Sequence, residues 1–236
     1  MNAFDPIMVN VLSSLITKIG ERILNSPFFE NPKIVIPQRE RLGDSFYESH
    51  YQKAREVEIT GVVLGGIIRH ICMVRSGMNA IPKTHLIANL KRRVLHTRLL
   101  LVHPDSEFIQ ERMILEKNPY LLDDIKKSLD ALNGLKEFLS SIPREDRTIR
   151  GSLEIRLLKD RLPFSHFSVK PDNQKAAMIF LGLMLPGLKG YQCPIICIKD
   201  RKEQSDLYDV IEHQVFSLYN ARETTPAFYW DGDVVQ

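Results

Sequence analysis

Cysteine is scarce in this chain, tryptophan occurs once, and no long apolar run breaks its mixed composition. The three cysteines, Cys72, Cys193 and Cys197, are odd in number and sit in apolar surroundings, which excludes a disulfide-stapled fold and fits reduced thiols acting as small hydrophobes. Cys193 and Cys197 would need further ligands to hold zinc. The nearest histidines, His166 and His213, fall in no recognised ligand spacing, so no metal or other cofactor is expected. No stretch reaches the ~18 apolar residues of a spanning helix, and the N-terminus lacks a cationic region followed by an apolar core and cleavage site. A cytoplasmic chain without membrane insertion is the expectation.

Motifs of the large nucleotide and hydrolase classes are also missing: there is no Gly-x-Gly-x-x-Gly, no Walker-type phosphate loop, no Gly-x-Ser-x-Gly elbow and no His-Glu-x-x-His. Charge of neither sign dominates. The 32 Lys and Arg exceed the 29 Asp and Glu by only 3, so any anion site must be local. The cluster Lys91, Arg92 and Arg93 ends a predicted helix, where the helix dipole accounts for it more simply than a nucleic-acid backbone does.

What is present is the composition of a folded protein, with 44% hydrophobic and 26% charged residues. Residues 4–24 place Ile7, Val11, Leu12, Leu15, Ile19 and Ile23 at helical spacing behind the Asp5-Pro6 pair, an amphipathic helix that packs on its own domain or on a partner subunit. Prolines and asparagine in 26–33 form a linker. The expected division is a helix and linker over 1–33 and an α/β domain over 34–236.

Within that domain the patterning predicts strands over 34–36, 57–63, 98–102, 153–158, 164–169, 178–185 and 194–198. Helices are predicted over 44–55, 81–93, 107–116, 121–141 and 204–222. The fold class is α/β, a central mixed sheet flanked by helices. Strands 153–158 and 164–169 both alternate cleanly across Pro163 and read as a neighbouring pair. The tail from Phe228, with the only tryptophan, reads as a packing lid.

Two places offer chemistry. At the turn His103-Pro104-Asp105-Ser106, Asp105 or Ser106 caps a helix whose first amides suit a phosphate or carboxylate, with His103 and Arg98 near the same edge; a plain capping turn explains the same residues. On the strand beginning at Pro163, His166, Ser168 and Lys170 share one face, followed by Asp172. Arg156, on the strand read as its neighbour, would join His166 and Lys170 in an anion pocket.

The order of Arg39 to Glu48, Ala54 to Gly61, Leu99 to Ser106, Ile155 to Leu157 and Pro163 to Val169 resembles the phospholipase D-like domains of bacterial regulatory and signalling proteins. The resemblance spans roughly residues 39–222. It implies a His-x-Lys pair on a strand, with histidine attacking phosphorus, lysine holding the phosphate oxygens, and a second half protonating the leaving group. Here Ser168 stands where the family has lysine, and Asn173 where it has aspartate. The resemblance therefore implies a non-catalytic sensing or interaction module, a homodimer that binds an anionic or nucleotide-type ligand. The alternatives are a dimeric phosphodiesterase or nuclease, with His166 as nucleophile and Lys170 as phosphate clamp, and a purely structural subunit.

Overall fold

Leu99, Leu100, Leu101 and Val102 form a run of apolar residues, all buried, as in a strand whose two faces are both covered. In the computed structural model, which describes residues 35–36, 50, 54–63, 96–141, 151–171, 177–184, 188–190, 192–199 and 205–230, that run belongs to a central strand of a mixed sheet. The strands are β1 (Val35–Ile36), β2 (Ala54–Gly61), β3 (His96–Val102), β4 (Ser152–Leu158), β5 (Phe164–Pro171), β6 (Met178–Leu183), β7 (Ile195–Lys199) and β8 (Thr224–Trp230). Their spatial order is β1-β7-β6-β5-β2-β3-β4-β8, seven substantial strands plus the two-residue edge β1. β2, β3 and β4 are parallel; every other pairing is antiparallel.

The helices are α1 (Glu107–Leu115), α2 (Leu121–Ser141) and α3 (Ser205–Tyr219). α1 and α2 carry the crossover from β3 to β4 and bury Ile109, Leu121 and Ile125 against Leu100, Val102 and Leu158. α3 seats Tyr208, Ile211 and Val215, spaced at three and four residues, on Phe164, Ile179, Leu181 and Ile198. Each such side chain contributes about 1.5–3 kcal/mol on burial. Among the described residues, no helix is long and apolar enough to cross a membrane.

The α/β class and the helix over 121–141 agree with the sequence reading. The expected pairing is corrected. β4 and β5 are not neighbours, because β5 pairs with β2 and β6, and both β2 and β3 lie between it and β4. Alternation says which face of a strand is buried and is silent about its partner. A strand also forms where only a lid was expected: β8 pairs with β4 at the sheet edge, the position that tolerates Pro226. The expected helix over 44–55 is corrected at its end, where Ala54 and Arg55 begin β2; of the rest of that span only His50 is described, and the expected elements at 4–24 and 81–93, the cluster Lys91 to Arg93, Cys72 and Asp172 lie outside the described residues.

Candidate functional site

Four central strands place polar side chains on the face that α3 covers. Strand register sets Ser168 of β5 opposite Glu58 of β2, Glu58 opposite Arg98 of β3, and Arg98 opposite Glu154 of β4. Residues at alternate positions share a face, so Thr60 and Arg156 stand on the same side one step further along. The C-terminal end of α3 brings Tyr219 over this row.

These groups line a cavity of about 100 Å³ whose polar lining is Glu58, Thr60, Arg98, Glu154, Arg156, Tyr219 and Asn220. Arg98 donates from one terminal nitrogen to Glu58 Oε1 at 2.9 Å. Arg156 reaches Glu154 Oε1 with Nε at 2.8 Å and with its second terminal nitrogen at 2.7 Å. Its remaining terminal nitrogen donates to the Tyr219 carbonyl at 2.9 Å, satisfying one of the acceptors that a helix C-terminus leaves open. The Arg156 guanidinium also lies 4.5 Å from the centre of the Tyr219 ring, a cation–π contact. Arg156 is therefore fully engaged, while Arg98 uses one donor and keeps a half-exposed side chain.

Two buried hydroxyls on this lining, Thr60 Oγ1 and Tyr219 OH, make no hydrogen bond. Burial pushes the Tyr219 phenol far above its ordinary value, and the negative charge of Glu154 adds to the shift, although the two groups meet in no hydrogen bond of good geometry. The phenol is therefore a proton donor at any physiological pH. Unsatisfied buried hydroxyls are uncommon in proteins, and where they face a cavity they can receive another polar group.

The residues singled out in the sequence divide between three places. His166 is buried on β5 and its Nδ1 has no partner; burial and then the nearby Lys170 charge lower its pKa to about 3, so the imidazole is neutral. Lys170 is held by Glu212 of α3 and, at 3.6 Å, by Glu56 of β2. Burial opposes its charge, but the hydrogen bond to Glu212 and the carboxylates of Glu58 and Glu212 outweigh that effect and raise its pKa. Arg156 does not join these two residues, since β2 and β3 separate its strand from theirs, and it works instead in the charged cavity.

Ser106 is the buried N-cap of α1, its Oγ accepting from the Phe108 amide at 3.3 Å. Asp105 is exposed, 3.7 Å from His103 Nδ1. Arg98 lies away from that turn, in the row with Glu58 and Glu154. Sequence reasoning passed over Glu58, Glu154 and Tyr219. The available signal was charge at alternate positions of strands otherwise rich in apolar residues, and it gains meaning only once the strands are in register. Among the described residues, no group of three or more His, Cys, Asp or Glu is arranged to hold a metal ion.

No family model matches this chain, and no curated protein or solved structure matches it.

Proposed function

We propose that the chain is a non-catalytic ligand-binding module on a phospholipase D-like scaffold, sensing a small anionic molecule that Arg98 holds in the cavity beneath the end of α3. The observation that supports this reading is Arg98 itself: it is half exposed, meets Glu58 through a single donor, and stands on a lining where Thr60 Oγ1 and Tyr219 OH have no protein partner. A guanidinium with open donors is suited to a carboxylate or phosphate oxygen pair. At about 100 Å³ the cavity is well below the ~300–1,000 Å³ of drug-sized and cofactor sites, which favours a small anion over a whole nucleotide.

The alternative, a dimeric phosphodiesterase using His166, asks a sealed imidazole to reach phosphorus and a lysine already held by two carboxylates to clamp phosphate. Both readings are tested together. Small carboxylates should raise the melting temperature of the full chain, with Arg98→Ala abolishing the effect and His166→Gln retaining it. No stabilisation by any of them would remove the sensing reading, and hydrolysis of a chromogenic phosphodiester that is lost in His166→Gln would establish the enzymatic one.

A further inference from the structure

The cavity is lined by charges of both signs that cancel. Arg98 and Arg156 contribute two positive charges, and Glu58 and Glu154 two negative ones. Each carboxylate meets its arginine through Oε1. A phosphate dianion placed against Arg98 would therefore face two carboxylates with nothing of its own to offer them. A simple amine would face the guanidiniums in the same way.

Register sharpens the point. Arg98 stands between Glu58 on one neighbouring strand and Glu154 on the other. Adjacent strands are spaced by ~4.8 Å, so a ligand anion docked on the middle strand carries any cationic group one or two bonds away within reach of either flanking carboxylate. Glu154 is held in place from behind, because Arg156 is anchored to the Tyr219 carbonyl and stacked on the Tyr219 ring. The Tyr219 hydroxyl adds a permanent donor for the ligand anion, and Thr60 Oγ1 adds a hydroxyl able to donate or accept. Leu100 of β3 lies in the same layer, between Thr60 and Arg156, and Val215 and Phe216 of α3 complete the apolar part of the lining, with Phe216 largely exposed.

We infer that the cavity recognises an α-amino acid as its zwitterion, the carboxylate docking on Arg98 and Tyr219, the ammonium on Glu58 and Glu154, and a small or apolar side chain lying against Leu100, Val215 and Phe216. This rests on the sensing function proposed above and names its ligand class. Binding and sensing need no covalent step.

Isothermal titration of the full chain with the standard L-amino acids tests it, each binder being compared with the matched acid lacking the amino group, the matched amine lacking the carboxylate, and inorganic phosphate. The amino acid should bind at least about tenfold more tightly than its deaminated acid, the discrimination expected from one charge-assisted hydrogen bond. Glu154→Gln and Glu58→Gln should each shrink that ratio while leaving the weak binding of the acid in place, and Arg98→Ala should abolish binding of both. Equal affinity for the amino acid and its deaminated acid, or binding of phosphate alone, overturns the zwitterion assignment and leaves an anion sensor. Binding of none of these probes by a chain that still unfolds cooperatively overturns both.

Discussion

His166 on β5 stands directly opposite Thr60 on β2, and neither the imidazole Nδ1 nor the threonine Oγ1 has a hydrogen-bond partner. The two polar groups are sealed side by side under α3, one lining the cavity and the other excluded from it. Their burial has consequences for pH, for the cavity and for the catalytic reading.

Because burial lowers the His166 pKa from 6.5 to about 3, the unfolded chain binds the extra proton between those values and the folded chain does not. Stability from this group is complete above pH ~6.5 and declines as pH falls toward 3, by on the order of 5 kcal/mol over the full window. Urea midpoints of the wild-type chain should therefore fall with acidification. The drop should be shallower in His166→Leu, which removes the titrating group; parallel curves for the two proteins would contradict the neutral buried imidazole.

Arg156 and Tyr219 are coupled through both the ring and the backbone. Arg156→Ala strips the last carbonyl of α3 of its donor and leaves Glu154 without its counter-ion, at a cost of about 2–3 kcal/mol. Tyr219→Phe removes only an unpartnered hydroxyl, so the fold should be unchanged or up to about 1 kcal/mol more stable. Chemical denaturation separates the two, and titration of Tyr219→Phe with a binding probe should show weaker association than wild type.

Ser106 has a capping role. Its hydroxyl accepts from the Phe108 amide at the start of α1, and Ser106→Ala should cost about 1 kcal/mol. Ligand-induced thermal stabilisation should survive in that variant. Its loss would return the turn at Asp105 and Ser106 to the binding machinery.

Gly182 of β6 is fitted to Ser165 of β5. The serine hydroxyl donates to the Gly182 carbonyl at 3.4 Å, and a Cβ added at Gly182 would collide with that same hydroxyl oxygen. Gly182→Ala should cost about 1–3 kcal/mol as an overpacking defect. The loss should shrink in the Ser165→Ala background, a double-mutant cycle with a positive coupling.

Local patterning determined much of this protein. The all-apolar stretch of β3 fits a strand buried on both faces, and the alternation of Leu153, Glu154, Ile155 and Arg156 stated which residues share a face. The span of α2 followed from its own periodicity and the following Pro143. These are short-range consequences of which side chains prefer water, and they need no partner to be read.

The site belongs to the tertiary structure. Glu58, Arg98 and Glu154 are far apart in the chain and become neighbours only because β2, β3 and β4 align in parallel register, while Tyr219 arrives on a helix from the last part of the sequence. The same pairing sent Arg156 away from His166 and Lys170, which alternation alone had placed on adjacent strands. Alternation records how each strand meets water and carries no term for which strand lies beside it; that choice is made by long-range packing. The sequence thus determined which side chains are buried, and only the folded sheet decided that two arginines and two glutamates would share a cavity beneath Tyr219.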